Sequence, residues 1–181
     1  MTSSLGENLN HNTIAAKVIN LAQAMPGQGV QDEQRVGDQI NVSGWLLRMV
    51  IRQKADRPNM TFKYWIVEVP KGETYVYNSW FDNVTNNTML DKINTDNCRV
   101  KKSGTWKPYT GAMANATDQF TFVKQIFISN KKLYKFTRNG SQVHDQKDLY
   151  ILLVAYNAYG SLLTDTIATY EMVSTVYFKD P

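Results

Sequence analysis

Between Asp148 and Tyr156 the chain reads DLYILLVAY, and from Leu149 to Tyr156 its only polar side-chain atoms are tyrosine hydroxyls. Such a run is too short to cross a bilayer as a helix. A polar loop precedes it and the turn-like Asn157, Ala158, Tyr159 and Gly160 follow, so it reads as a strand buried on both faces. A strand of this kind needs paired neighbours beside it and apolar layers above and below.

The flanking sequence has the period to supply them. Ile40 and Val42 alternate with polar residues; beyond Gly44, Trp45, Leu47, Met49 and Ile51 alternate against Leu46, Arg48, Val50 and Arg52. Arg35 to Ile51 is therefore one long strand with a bulge or bend at Gly44. Met60 to Val69 is a second strand, closed by Pro70-Lys71-Gly72. Cys98 to Lys107 reads as a strand turning at Ser103-Gly104. Gln119 to Phe136 reads as two strands, or one bent at Asn130, and Ile167 to Lys179 as the last. Ser79 to Asp96 is expected to be a long loop with a helical turn around Met89 to Ile93. Seven or eight strands with almost no helix between them argue for a sandwich or a barrel, because a parallel sheet would need crossover helices.

The first 30 residues differ in character, being polar, low in charge and free of aromatics. Asn12 and Thr13 can cap a short helix with Ile14, Val18, Leu21, Ala22 and Met25 on one face, ended by Pro26-Gly27. This predicts an arm over residues 1–30, helical or disordered, and one domain over residues 31–181. A chain of 181 residues is long enough for one substantial core.

Charge is unevenly placed. From Arg99 to Arg138 there are nine basic residues (Arg99, Lys101, Lys102, Lys107, Lys124, Lys131, Lys132, Lys135, Arg138) and one acid, Asp118, a net of +8. The whole chain carries +4, so the remainder carries 4 − 8 = −4. Trp106, Tyr109, Phe122, Phe127 and Tyr134 are interleaved with these cations. A surface facing phosphates and bases needs that mixture, although solvated strand faces would look the same.

Catalytic signatures are absent. There is no GxSxG elbow, HExxH, P-loop or EF-hand loop. His11 lies in the polar arm, and His144, beside Asp145, reads as a solvated loop residue. The chain is therefore not expected to be an enzyme or to need a cofactor. Asp82, Asp91, Asp96, Asp118 and Asp145 could bridge subunits through Ca²⁺, but turn residues making local hydrogen bonds look alike and no metal site is predicted. The one cysteine, Cys98, excludes an intrachain disulfide and reads as structural. Six Asn-x-Ser/Thr sequons occur, at Asn41, Asn59, Asn83, Asn86, Asn115 and Asn139, but the opening MTSSLGENLNHN lacks a signal peptide's basic and apolar regions, and no membrane insertion is expected.

The segments RVGDQINVSGWLLRMVI, RPNMTFKYWIVEV, FVKQIFISNKKLYKF, DLYILLVAYNAYG and the terminal VYFKD, in this order, resemble capsid proteins of small circular Rep-encoding single-stranded DNA viruses. QRVGDQI is also similar to a strand of satellite tobacco necrosis virus coat protein. The resemblance covers roughly Gln34 to Pro181. It implies a single eight-stranded antiparallel jelly roll, Arg35 to Ile51 being its first strand, and a subunit that self-assembles into an icosahedral T=1 shell of 60 copies around single-stranded DNA. It also implies a virion protein made in the host cytoplasm, with assembly there or in the nucleus, and an unidentified host receptor. Capsid proteins of this kind usually begin with an arginine-rich arm, whereas residues 1–30 here hold one lysine and no arginine. Genome contact is then expected from the basic block and from Arg48, Arg52, Lys54 and Arg57, directed mainly at phosphates and without sequence specificity. Two other functions share the strand pattern: a jelly-roll carbohydrate-binding module, and a free-standing single-strand-binding protein of the OB type.

Overall fold

The computed structural model describes residues 2–18, 25–31, 34–57, 59–82, 86–108, 119–137, 144–158 and 161–180. The described strands are β1 (Thr2–Asn10), β2 (Ile14–Val18), β3 (Gln39–Lys54), β4 (Met60–Val69), β5 (Phe81–Asp82), β6 (Lys92–Ile93), β7 (Arg99–Trp106), β8 (Gln119–Lys135), β9 (Asp148–Asn157) and β10 (Thr166–Lys179), with one helical turn, α1 (Tyr77–Trp80). Eight of them make two four-stranded antiparallel sheets, ordered β1-β10-β3-β8 and β2-β9-β4-β7, and β5 pairs with β6 in a small ribbon. This is an all-β jelly roll.

The main core lies between the sheets. Trp45, Leu47, Met49 and Ile51 of β3 and Ile126 and Ile128 of β8 meet Phe62, Tyr64 and Ile66 of β4 and Leu149, Ile151 and Leu153 of β9. A second cluster covers the opposite face of the second sheet. There Trp65, Val67, Tyr150, Leu152 and Val154 pack under Trp80, Phe81, Ile93 and Cys98. Strand β9 sits between β2 and β4 and contributes to both clusters, one on each side of its pleat. The unbroken apolar run follows from that position, since neither side of β9 meets water.

The bulge expected at Gly44 is present: the β3–β8 register shifts between Val42 and Gly44, and β10 shifts against it between Tyr177 and Phe178. On the β8 side the extra residues are Asn130 and Lys131, so residues 119–135 form one bent strand. Asn130 is buried and its side-chain amide donates to the Tyr134 hydroxyl at 2.7 Å.

Several expectations need correction. Where a helical or disordered arm was expected, Thr2–Asn10 and Ile14–Val18 are strands: β1 pairs with β10 and β2 with β9, adding one strand to each sheet. Ile14 to Val18 is strand rather than helix; Leu21 and Ala22 lie outside the described residues. Hydrogen bonding to β9 outweighs the weak helical spacing of Ile14 and Val18, as tertiary context commonly does. The long strand at Gly44 begins at Gln39, not Arg35, and is third in the chain rather than first. Arg35 is buried before it, with its guanidinium 4.0 Å from the Phe136 ring centroid. No turn interrupts β7: Ser103 and Gly104 pair with Trp65 and Tyr64, and Gly104 is needed because a Cβ there would lie 2.8 Å from the Tyr64 ring. The long loop is entered through a helical turn at Tyr77–Trp80; around Met89 it makes two overlapping turns, Leu90 N–H to the Asn87 carbonyl and Asp91 N–H to the Thr88 carbonyl, before Lys92–Ile93, which is strand.

Candidate nucleic-acid interface

The two sheets present unlike outer faces. Over β9 and β4 that of the second sheet is roofed by Trp80, Phe81, Ile93 and Cys98, while the outward Val100, Ser103 and Thr105 of β7 are exposed. Even its Lys63 is enclosed, with the amine 4.4 Å from the Trp65 ring centroid and donating to the Met89 carbonyl. The outer face of the first sheet has no such roof among the described residues. Its outward strand positions include the cations Arg48, Arg52, Lys54, Lys131, Lys135 and Lys179 and one acid, Glu171, giving 6 − 1 = +5. Between these charges stand Leu46, Val50, Val123, Phe127 and Tyr177, of which Val123 is 62% exposed.

The structure divides the expected cationic residues into three groups. Arg48, Arg52, Lys54, Lys131 and Lys135 share the open face. Arg52 is paired there with Glu171 at 2.7 Å, a solvated contact that lowers the Glu171 carboxyl by direct hydrogen bonding. A second group gathers along the edge where β7 and β8 bring the sheets together. Lys132 reaches Glu68 Oε1 at 2.5 Å and Lys101 reaches Glu68 Oε2 at 3.6 Å, with Glu68 only 4% exposed. Lys102 donates to the Phe127 carbonyl at 3.0 Å, and the Lys124 amine lies 5.3 Å from the Trp106 ring centroid. Arg99 begins β7 and Lys107 follows it, both exposed. Arg57 stands apart, held by Asp56 and Asp165 at 3.1 and 3.5 Å. Arg138 lies outside the described residues.

Lys101, Lys132, Lys124 and Arg57 thus have intramolecular work that spacing alone does not reveal; Arg99 and Lys107 are exposed at the edge, and Arg48, Lys54, Lys131 and Lys135 are exposed on the open face. Lys179 belongs with them and was missed, as were Phe127 and Tyr177 as site residues. The signal was available in parity: Phe127 shares the outward phase of β8 with Val123 and Gln125, and Tyr177 that of β10 with Lys179.

Both histidines are buried, contrary to the reading of His144 as solvated. The His144 ring packs edge-on to Tyr134 at 5.0 Å, and its Nδ1 accepts the Gln146 N–H at 3.1 Å. The His11 Nδ1 accepts the Asn157 N–H at 3.1 Å. Burial lowers both pKa values, with Lys71 adding to the effect at His144 and Arg57 at His11. A lowered histidine pKa makes neutral rings part of the fold's stability above the ordinary value near 6.5, and that contribution is lost as pH falls. Thermal melts are therefore expected to show stability falling as pH drops below about 6.5. His144→Asn, which keeps an acceptor but cannot charge, is expected to flatten that slope; an unchanged slope would show that His144 does not titrate with folding.

Cys98 is a buried free thiol that burial raises to about 11, which fits a structural residue. Among the described residues no group of three or more His, Cys, Asp or Glu side chains could hold a metal ion. A separate groove of about 440 Å³ is lined by Tyr75, Tyr77, Asn12 and Thr88. Its polar groups are bonded to one another: Asn12 accepts from the Thr88 N–H and hydroxyl, both at 2.8 Å, and Tyr77 donates to Asp91. Burial and that bond push the Tyr77 hydroxyl up to about 12. The five-stranded OB barrel is not the architecture of this chain.

In comparisons with known proteins, no family model matches the sequence and no curated protein matches it.

Proposed function

We propose that this chain is the coat subunit of a small single-stranded DNA virus, copies of which close into an icosahedral T=1 shell of 60 with the genome inside. The observation that carries the reading is the contrast between the outer faces of the two sheets. One is roofed over β9 and β4 by its own 70–98 loop; the other is open, basic and partly apolar, as a surface lining a nucleic-acid-filled lumen would be. The resemblance of five ordered segments to capsid proteins supports it. Assembly from one chain type requires self-complementary or ring-closing contacts, and the loops at the ends of the jelly roll are the surfaces available for them.

In this reading the open face binds phosphates without sequence preference, and salt weakens the contact. Purified full-length protein is expected to sediment as a large particle, visible by negative-stain electron microscopy as uniform closed shells. Its absorbance ratio at 260 and 280 nm reports enclosed nucleic acid. A monodisperse monomer under all assembly conditions would overturn the proposal.

A further inference from the structure

We propose that the bulge at Gly44 forms a nucleotide-sized subsite, in which one base of a single strand stacks on Phe127 and Tyr177 and its phosphate is held by Lys131 and Lys179. This rests on the reading that the open face meets nucleic acid, and adds how it does so. At the bulge a groove of about 480 Å³ is lined by Ser43, Leu46, Phe127, Tyr177 and Lys179. It adjoins a hollow of about 300 Å³ that shares Ser43 and Lys179 with it and adds Lys131, Lys132 and Leu133. One compartment is apolar and aromatic and the other cationic, side by side.

The rings are open to a partner. Phe127 is 47% and Tyr177 44% exposed, their centroids lie 6.4 Å apart, and their planes are tilted by 54°. Gly44 makes the arrangement possible, because a Cβ there would lie 2.3 Å from the Ile128 carbonyl oxygen and 3.0 Å from Phe127 Cζ. With no side chain at that point, the Phe127 ring can lie across the strand.

The charges are sorted in the same way. Lys132, next in the chain to Lys131, turns inward to Glu68, whereas no carboxylate among the described residues pairs with Lys131 or Lys179. Lys102, bonded to the Phe127 carbonyl, brings a third cation to the aromatic edge. An apolar peptide or a second copy of this face would use the rings but leave the lysines facing one another. A nucleotide uses both compartments, and every base has a face that can stack, so the subsite would be indifferent to sequence.

Fluorescence anisotropy of full-length protein with a labelled oligothymidylate, and with an abasic strand of equal length, tests this. Phe127→Ala and Tyr177→Ala are each expected to weaken oligothymidylate binding about tenfold, leaving abasic binding and the salt slope unchanged. The double variant Lys131→Ala/Lys179→Ala should weaken both strands alike and reduce the salt slope by up to about 1.4. Should Phe127→Ala fail to fold, Tyr177→Ala and Phe127→Leu, checked by circular dichroism, read the same quantity. Equal affinity for the two strands in the unmodified protein, or aromatic variants that bind oligothymidylate normally, would overturn the subsite. So would aromatic variants that lose particles while keeping oligothymidylate affinity, which would make the face a contact between copies. If the chain forms no shell, the anisotropy still reports on the subsite, and the two readings fail separately.

Discussion

Leu152→Asp is expected to yield no soluble folded protein, whereas Leu152→Ala should fold with a stability lower by about 2–5 kcal/mol. Leu152 is fully buried although it does not face the space between the two sheets. It points away from the main core, into the cluster closed by Trp80, Phe81 and Ile93. A carboxylate there would be buried among Trp65, Trp80, Phe81 and Ile93, the Lys63 amine on that face being already engaged by the Trp65 ring and the Met89 carbonyl, a cost of several kcal/mol added to the lost packing. Together these approach the whole stability of an ordinary domain. Val123→Asp, on the open face of the first sheet, is the control, expected to change stability by about 0.5 kcal/mol or less. Soluble expression and a thermal melt of the three variants check the contrast. A folded Leu152→Asp variant melting near the unsubstituted protein would mean that the 70–98 loop does not seal this face of β9.

Where the hydrophobic pattern is dense, the fold was legible. Strand β4 is found with the bounds that alternation set, and β9 is an inner strand with both faces covered, as its apolar run requires. Gly44 marked its bulge because the phase of alternation changes there. Strands β1 and β2 escaped for a physical reason. They are edge strands, each hydrogen-bonded to one neighbour, and TSSLGENLN carries few of the β-branched or aromatic residues by which strands are recognised. Their identity is set by the long-range partners β10 and β9.

The candidate site was legible as a composition and not as a place. A block of lysines interleaved with aromatics marks a basic region, but which lysine faces out depends on strand parity and on a partner in another strand. Lys131 and Lys132 are adjacent in sequence, yet one is exposed on the open face and the other is bound to Glu68, which lies on β4 in the opposite sheet. Parity placed Phe127 with the lysines; nothing local placed Glu68 against them.

Glu68→Lys is the substitution expected to have the next largest effect, costing about 3 kcal/mol or more by leaving Lys101, Lys132 and a third lysine in one partly buried site. Glu68→Gln isolates the loss of charge. Burial disfavours the ionised Glu68 carboxyl, but the Lys132 hydrogen bond and the charges of Lys101, Lys132 and Arg99 outweigh it and hold the carboxyl below the usual range. A depressed carboxyl contributes stability that is present above the ordinary glutamate value, near 4.3, and is lost as pH falls below it. The histidines begin to act higher, as pH falls below about 6.5, so Glu68→Gln should reduce the pH dependence of melting below about 4.5 and leave the slope just below 6.5 unchanged. The same variant releases two lysines at the rim of the open face. In the proposed function it should therefore bind single-stranded DNA more tightly at low salt, with a salt slope steeper by up to about 1.4, while being less stable. Lower stability with unchanged binding would mean that the β7–β8 edge serves only to join the sheets, and that the genome contacts are confined to the face carrying Arg48, Lys131, Lys135 and Lys179.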